Sequence, residues 1–319
     1  MNNDQIFEDI VNFPDTGAQR LFAQLIGLDE VKDRIIKEAR LLLNPNLLED
    51  WSKRHHGSSI ALLDYFRRRS PFFIFGGDVG TGKTTLAETF GDCVSRKEKI
   101  PLTLYRLSLN ARGTGAVGEM TRLLSAAFKE IAGVAQKSLS KKGELDGKPS
   151  SAVILLIDEA DALAQSREFT QMHHEDRAGV NAVIRGIDNL AGAHLPAIVV
   201  MCTNRLDALD PAVRRRAAEV FEFTRPDEKQ RTAVLTQGLQ GTGFSEKQVV
   251  QLAKATGSNG ERNYEYTYSD LVRRFLPRLL LDAFPDRPID FKRALEISLS
   301  LKPTPPFKNN DSFKHDGKE

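Results

Sequence analysis

The chain has 319 residues, of which 40% are hydrophobic and 28% are charged, and its formal net charge is +2. This length allows one large domain and one small domain, whereas the ordinary composition excludes a polybasic nucleic-acid-binding protein and an intrinsically disordered one. The N-terminus is neither basic nor apolar, and no uninterrupted apolar stretch is long enough to span a bilayer. We therefore expect a cytoplasmic protein with no membrane partner and with nucleic acid disfavoured as a partner.

The N-terminal part of the chain gives weak signals. Residues 1–24 form a short mixed segment that is too small for a separate domain. A helix is predicted over Asp29–Leu43, because Val31, Ile35, Ala39 and Leu42 fall on one helical face. Packing against a core explains that apolar face.

A short apolar strand, Pro71–Phe75, runs directly into a glycine-rich segment and then into a helix predicted to end near Arg96. The segment reads Gly77-Asp78-Val79-Gly80-Thr81-Gly82-Lys83-Thr84-Thr85. Glycines at this spacing let backbone N–H groups converge on a phosphate at the start of a helix. Lys83 is predicted to contact the β- and γ-phosphates and Thr84 to bind Mg²⁺. Because a strand precedes the segment and a helix follows it, we disfavour the interpretation that the segment is a chance glycine-rich turn.

A pair of acids follows the next strongly apolar segment. Val153–Ile157 is a continuous apolar run, typical of a strand that is buried on both faces, and Asp158 and Glu159 follow at its carboxyl end. We expect Asp158 to hold Mg²⁺ and Glu159 to accept a proton from the water that attacks the γ-phosphate. A buried strand followed by an acidic helix start has a similar pattern, but its pairing with a phosphate loop favours the catalytic interpretation.

The remaining patterns alternate and then become helical. Further strands are predicted at Leu102–Leu107, Ala197–Thr203 and Val220–Phe223, and helices at Met120–Lys137, Asp176–Leu190, Asp227–Gln240, Ser245–Ala255 and Tyr268–Ala283. Alternating strands and helices indicate an α/β fold with a parallel sheet that is covered on both faces. The helical patterns after Pro226 predict a small all-helical second domain. Residues 303–319 are poor in apolar side chains and are predicted to be a disordered tail.

Two more polar groups are candidates for the site. Asn204 follows the predicted strand Ala197–Thr203, where its amide is placed to orient the attacking water or contact the γ-phosphate, although a turn-forming Asn is also common there. Arg215 and Arg216 have three interpretations: an exposed basic helix end, a nucleic-acid patch, or a pair that reaches the γ-phosphate bound by a neighbouring subunit of a ring. We favour the third.

Gly77–Thr84, Asp158-Glu159, Asn204 and the Arg215-Arg216 pair together resemble Walker A, Walker B, sensor one and the arginine fingers of the AAA+ ATPases. The resemblance covers about Leu25 to Ala283. It implies a doubly wound, parallel, five-stranded large domain over residues 25–225 and a small all-helical lid domain over residues 226–302. It also implies ATP bound beside Ile26 and Gly27, and a homo-oligomeric ring that is usually hexameric.

Within that superfamily, the segment Asp176–Asp188 and the Arg216-Ala217 step resemble the ATPases that remodel HORMA-domain proteins. Bacterial relatives occur in anti-phage CBASS operons beside a CD-NTase. The resemblance implies an ATP-driven pull on a HORMA-domain protein that opens it and releases its partners. The expected partners are further copies of this chain and a HORMA-domain protein, with or without a bound CD-NTase.

The chain departs from that family at two places. Its pore loop is expected at Gly115-Ala116-Val117-Gly118-Glu119, where relatives place an aromatic residue before the acidic one, and a second pore loop near Phe169–Glu175. Leu271 occupies the position of the sensor-two arginine. Either Arg273 or Arg274 replaces it, or the lid senses nucleotide by position alone.

The sequence thus predicts an ATP-hydrolysing protein remodeller. A nucleotide-dependent assembly switch or DNA loader of the same class is the alternative, and an unfoldase that feeds a protease is a third. Glu159 together with paired arginines favours turnover, whereas the near-neutral charge disfavours DNA.

Overall fold

The computed structural model describes residues 6–109, 118–140, 148–163, 173–259 and 262–307. Contacts divide the chain into two compact units. The sheet unit comprises the chain up to Gln24, Glu30–Gly76 and Thr84–Glu222, and the helical unit comprises Leu25–Asp29, Gly77–Lys83 and the chain from Phe223 onward. Across the described ranges, no helix combines the length and the apolarity that crossing a bilayer requires.

The sheet unit is built on six strands. They are β1 (Asp9–Phe13), β2 (Phe72–Gly77), β3 (Leu102–Ser108), β4 (Ala152–Asp158), β5 (Ala197–Thr203) and β6 (Glu219–Phe223). Their order in the sheet is β1-β3-β4-β5-β2-β6. The pairs β3–β4, β4–β5 and β5–β2 are parallel. The predicted α/β fold with a mainly parallel sheet is therefore confirmed.

Strands β4 and β5 explain the apolar runs in the sequence. All seven residues of each strand are buried, as expected for parallel strands that are covered on both faces. Their register pairs Ile157 with Met201 near the carboxyl ends. The first polar residues after each strand therefore emerge at the same edge of the sheet.

Eight α-helices are described in or at the margin of the sheet unit. They are α1 (Thr16–Gln24), α2 (Asp29–Leu43), α3 (Asn46–His56), α4 (Leu62–Arg67), α5 (Lys83–Glu98), α6 (Glu119–Ser140), α7 (His173–Gly192) and α8 (Pro211–Arg214). Leu124, Phe128 and Ile131 of α6 are buried in one cluster with Val183 and Ile187 of α7. The spacing of these residues is the 3.6-residue period from which both helices were predicted.

The sheet has one strand more than the five that were predicted. Strand β1 lies at the edge and pairs antiparallel with β3. Three of its five residues are exposed and Phe13 is the one that is buried, so its sequence lacks the apolar run of a central strand. Residues before Leu25 therefore contribute an edge strand and helix α1 to the sheet unit.

The helical unit contains four α-helices and one π-helix among its described residues. They are α9 (Glu228–Gly238), α10 (Glu246–Ala255), the π-helix (Asp270–Phe275), α11 (Leu276–Ala283) and α12 (Phe291–Ser300). The side chains of Asp227 and Ser245 accept hydrogen bonds from the backbone N–H groups of Gln230 and Gln248, and both glutamine side chains bond back. These capping boxes fix where α9 and α10 begin.

Three expectations about this unit were incomplete. The predicted helix Tyr268–Ala283 is a π-turn over Asp270–Phe275 followed by α11, which has Pro277 in its first turn. Proline lacks the N–H that would continue the ladder, and a wider turn accommodates the interruption. Helix α12 was not predicted separately. Residues 303–307, placed in the predicted tail, have defined contacts, and residues 308–319 lie outside the described part.

We expect Gly186→Ala to destabilise the sheet unit, because a Cβ at this position of α7 would lie 2.2 Å from the Phe128 ring of α6. Overpacking of this kind lowers the free energy of unfolding by about 1–3 kcal/mol. Gly133→Ala in α6 is the control, since no described atom outside its own helix lies within 4 Å of the added Cβ and helix propensity alone stabilises by about 0.5–1 kcal/mol. Urea denaturation compares the two, and equal midpoints would contradict the close α6–α7 packing.

Candidate active site

The glycine-rich loop Gly77–Lys83 lies within the helical unit. Gly77 has φ 145°, and a Cβ there would lie 2.0 Å from the carbonyl oxygen of Phe223. Gly80 has φ 75°, and its Cβ would lie 2.8 Å from Oγ1 of Thr267. Side chains at these positions would be both strained and in collision. Glycine is therefore required at both positions by the close approach of the protein's own atoms.

Polar contacts inside the loop hold its shape. The Lys83 ammonium donates to the carbonyl oxygens of Gly77 and Asp78 at 2.9 and 2.7 Å, and the residue is 6% exposed. The Thr81 hydroxyl also donates to the Asp78 carbonyl, at 2.7 Å. Val79 is exposed. The ammonium is thus held against the loop by carbonyl dipoles, in the place where the motif predicts contact with phosphates.

Ile26 and Gly27, which the family resemblance places beside the nucleotide, also lie in the helical unit. The carbonyl oxygen of Gly27 accepts a hydrogen bond from Nε2 of Gln230 at 2.7 Å. Ile26 packs against the apolar core of the unit. Gly27 also lies close to Tyr268, because a Cβ on Gly27 would lie 2.8 Å from the Tyr268 hydroxyl. Burial raises the pKa of that hydroxyl to about 12. This segment is therefore fixed to the helices by a hydrogen bond and by close packing.

In the sheet unit, Thr84 and Asp158 meet at the end of β4. The Thr84 hydroxyl donates to Oδ1 of Asp158 at 3.2 Å, and the N–H of Glu159 donates to the same oxygen at 2.9 Å. Asp158 is 5% exposed, and this burial raises the pKa of its carboxyl group despite nearby donors. Thr85, the next residue, is half-buried in α5.

This pair fits a magnesium ion chemically. A hydroxyl and a carboxylate are hard oxygen ligands, and Mg²⁺ is commonly held by one or two carboxylates together with water and substrate phosphates. A cation would also favour the charged form of a carboxylate that burial disfavours. No cluster of three or more His, Cys, Asp or Glu side chains suited to a metal occurs in the described ranges. The described residues therefore do not form a metal site in which protein side chains supply every ligand.

Arg106 was not predicted as a site residue. It lies in β3, and its guanidinium contacts Asp158 at 3.2 Å, Glu88 at 2.6 Å and Glu8 at 3.4 Å. Burial raises the pKa of Glu88, and the charge of Arg106 opposes that rise. Arg106 therefore holds Oδ2 of Asp158 while Thr84 contacts Oδ1. An arginine inside the apolar strand sequence Leu102–Ser108 was the available signal.

Glu159 has an unusual backbone conformation. Its φ is 55°, in the left-handed region that a residue with a side chain seldom adopts. The residue is exposed, whereas the preceding Asp158 is buried. Local strain of this kind is characteristic of functional sites. The two consecutive carboxylates thus differ in exposure, which is compatible with the predicted division into a metal ligand and a base.

Asp161 positions the predicted sensor residue Asn204. Its Oδ1 accepts hydrogen bonds from the Thr203 hydroxyl at 2.6 Å and from the N–H groups of Asn204 and Arg205 at 2.8 and 2.9 Å. Its Oδ2 accepts from Nδ2 of Asn204 at 2.8 Å. The amide nitrogen of Asn204 therefore faces Asp161, and the amide oxygen is turned away. An oxygen acceptor suits a water molecule better than an anionic phosphate.

The two predicted arginine fingers differ in their surroundings. Arg216 forms a two-pronged ion pair with Asp188 of α7, with Nε to Oδ1 at 2.9 Å and Nη2 to Oδ2 at 3.1 Å. The hydrogen bond to Asp188 raises the pKa of Arg216. Arg215 is exposed. The pair therefore lies at the surface of the sheet unit, and Arg216 is already matched to a carboxylate of the same chain.

The sensor-two candidates lie on the π-helix. Leu271, at the position where the family resemblance predicts an arginine, is fully buried in the helical core. Nη1 of Arg274 donates to Oδ1 of Asp270 at 2.7 Å, and Arg273 is exposed. Burial alone would raise the pKa of Asp270, but hydrogen bonds from Thr267, Thr304 and Arg274 hold it below its ordinary value. Arg274 is thus anchored by a buried anion.

The predicted pore loops fall largely outside the described residues. Gly115, Ala116 and Val117 lie outside them, and so do residues 169–172 of the second loop. Gly118 has φ 78° and precedes Glu119, the first residue of α6. The backbone of residues 173–175 begins α7.

Comparison with known proteins gives the class of this protein. Residues 73–225 match the profile of the family described as ATPase family associated with various cellular activities (AAA). Together with a 50% identical relative across 95% of the chain, this match shows that the chain belongs to the AAA family of ATPases.

The particular relatives agree with the resemblance drawn from the sequence, which is confirmed. CD-NTase-associated protein 6 of Escherichia coli (strain MS 115-1) is 50% identical over 304 residues, which are 95% of this chain and 96% of the relative. A chain in the structure of the E. coli MS115-1 HORMA:CdnC:Trip13 complex matches with a TM-score of 0.88 and 48% identity, over 97% of this chain and 99% of that one. Rhizobiales Trip13 matches with a TM-score of 0.74 and 45% identity, over 94% and 100%.

We expect Asp161→Asn to lower the kcat for ATP hydrolysis by about 10- to 100-fold, the usual effect of losing a group that orients a functional side chain. The new amide would place an N–H₂ group against donors of residues 203–205. The KM for ATP should change little, because Asp161 does not contact the phosphate loop through any of its four described hydrogen bonds. Asn204→Ala is the comparison. If the double variant loses the product of the two single losses, the residues act separately and the positioning role is wrong.

Proposed function

We propose that the chain is a ring-forming, Mg-ATP-hydrolysing remodeller of a HORMA-domain protein complex that includes a CD-NTase. It would open or disassemble that complex and so switch off anti-phage signalling of the CBASS type in the cytoplasm. The observation that carries the proposal is the match along nearly the whole chain to a component of a HORMA:CdnC:Trip13 complex. The name of the 50% identical relative, CD-NTase-associated protein 6, supports the same partner class.

In the proposed reaction the loop Gly77–Lys83 holds the phosphates of ATP through its backbone and the Lys83 ammonium. Thr84 and Asp158 would hold a magnesium ion, which when bound would supply positive charge beside the transferred phosphoryl group. Lys83 and Thr84 are consecutive in the chain. The phosphate contact and the metal contact are therefore made by adjacent residues.

Glu159 acts as the general base. It accepts a proton from the water that attacks the γ-phosphorus, and Asn204 orients that water through its amide oxygen. Glu159 has a left-handed backbone and is exposed, whereas Asp158 is buried, which supports different roles for the two carboxylates. The hydrogen bonds from Asp161 fix the amide of Asn204.

In a ring, Arg215 and Arg216 act on the nucleotide of the neighbouring subunit. The exposed Arg215 is available without rearrangement. Arg216 contacts the γ-phosphate only if its ion pair with Asp188 breaks. Alternatively, Arg216 keeps that ion pair and orients the segment that carries Arg215. The residues Gly115–Glu119 are proposed to contact the substrate in the ring pore, with small side chains in place of an aromatic one.

We expect Glu159→Gln to bind Mg-ATP with near-normal affinity but to hydrolyse it at least about 100-fold more slowly, since the amide cannot accept the proton. Lys83→Ala, which removes the phosphate-binding charge, should lose binding instead. The ATP-loaded Glu159→Gln protein is incubated with candidate HORMA-domain and CD-NTase proteins from the native host and analysed by size-exclusion chromatography. A nucleotide-dependent complex supports the remodeller. Binding of DNA without that complex would favour the loader, and undiminished turnover would remove Glu159 from its role.

The finger assignment is tested by mixing subunits. Arg215→Ala and Arg216→Ala should each bind ATP normally, and a true finger variant should lose about 10³-fold in kcat. Mixing that variant with Glu159→Gln should recover part of the turnover, because some interfaces then combine an intact base with an intact arginine. Asp188→Ala distinguishes the roles of the two arginines, because it removes the ion-pair partner of Arg216 and leaves Arg215 unchanged. Absence of recovery in both mixtures would contradict action between subunits.

A further inference from the structure

A segment near the end of the described chain is bonded to the phosphate loop within the helical unit. We call Pro303–Phe307 the C-terminal strap. The N–H of Phe307 donates to Oδ1 of Asp78 at 3.2 Å. The N–H and the hydroxyl of Thr304 donate to Oδ2 and Oδ1 of Asp270 at 3.0 and 2.8 Å. Pro303 is buried. The strap therefore contacts both the loop and the π-helix.

Arg225 joins the strap to the loop. Its Nε donates to Oδ2 of Asp78 at 2.7 Å, its Nη2 to the carbonyl oxygen of Thr304 at 2.8 Å, and its Nη1 to the carbonyl oxygen of Glu265 at 2.6 Å. The side chain is 7% exposed, and the guanidinium lies 5.1 Å from the centre of the Tyr264 ring. A buried arginine with three nitrogens bonded is a rigid attachment.

The charge at Asp78 explains why this attachment matters. Asp78 is the second residue of a loop whose motif binds polyphosphate, so an uncompensated carboxylate there would repel the ligand. The ion pair with Arg225 neutralises it. The N–H of Val79 and the N–H of Phe307 also bond Oδ1. Both oxygens of the carboxylate are therefore turned toward donors of the protein.

We propose that Arg225 and the C-terminal strap are positioning elements of the phosphate loop, which neutralise and hold Asp78 so that the loop accepts the phosphates of a nucleotide. The inference rests on the proposed function, because it assigns these residues to the binding of the same ATP. It adds a role for a segment that composition alone places in a tail.

The first experiment measures dissociation constants of fluorescent mant-ATP, mant-ADP and mant-adenosine on the full chain. We expect Arg225→Ala to weaken mant-ATP binding by about tenfold, since a hydrogen-bonded charge pair of this kind is lost. The effect should be smaller for mant-ADP and absent for mant-adenosine, because repulsion grows with the charge of the phosphates. A merely structural role would weaken all three alike.

Removal of the opposing charge provides the rescue. Asp78→Asn in the Arg225→Ala background should restore most of the mant-ATP affinity, because no uncompensated carboxylate remains in the loop. If the double variant binds as weakly as Arg225→Ala alone, neutralisation of Asp78 is not what Arg225 does. Circular dichroism of each variant at the binding temperature checks that the helical unit remains folded.

Two shortened chains test the strap itself. A chain that ends after Phe307 keeps every strap contact described above and should bind mant-ATP as the full chain does. A chain that ends after Lys302 lacks the strap and should bind about tenfold more weakly, again with mant-adenosine unaffected. Equal mant-ATP affinity of the two would overturn the role of the strap. Failure of the unaltered protein to bind mant-ATP would instead overturn the proposed function, so the two failures are distinguishable.

Discussion

The burial of β4 on both faces is the constraint on which the site depends. All seven of its residues are enclosed, so the strand can present charged groups only where it ends. Asp158 is the last residue of β4, Glu159 and Asp161 come soon after it, and the neighbouring strand β5 ends just before Asn204. A parallel sheet thus collects the acids and the amide at one edge without any contribution from a long loop. The burial of Asp158 and Asp161 makes their charges costly and their hydrogen bonds decisive.

The two buried carboxylates at the end of β4, Asp158 and Asp161, are bonded in different ways. Asp161 accepts four hydrogen bonds, all from the three consecutive residues 203–205, and it therefore acts as an anchor for the end of β5. Asp158 is contacted from three separate elements, through Thr84, Arg106 and the N–H of Glu159. Burial still raises the pKa of Asp158. Burial thus disfavours its anionic form, and the cation that we propose Asp158 binds would favour that form.

Local motifs allowed the phosphate loop, the acidic pair and the parallel sheet to be predicted, because their physical requirements lie within a few consecutive residues. The supporting contacts could not be predicted in this way. Arg225 is 147 residues from Asp78, and Asn204 is 43 from Asp161; the pairing depends on the three-dimensional fold. Edge strand β1 was missed because most of it is exposed. The sequence showed that Leu271 departs from the family pattern. Only the fold shows that this side chain is fully buried.

Asp270 connects the strap to Arg274, one of the two candidates for a sensor-two arginine. The residue is fully buried and accepts hydrogen bonds from Thr267, Thr304 and Arg274. If Arg274 turns toward a phosphate, Asp270 loses its charged partner and depends on the neutral donors of Thr267 and Thr304 alone. An anion buried without a cation is costly, and each remaining hydrogen bond to it then matters more. Binding of a phosphate by Arg274 would therefore make the hydrogen bonds from Thr304 of the strap more important to Asp270. The same strap is bonded to Arg225, which holds Asp78 of the phosphate loop.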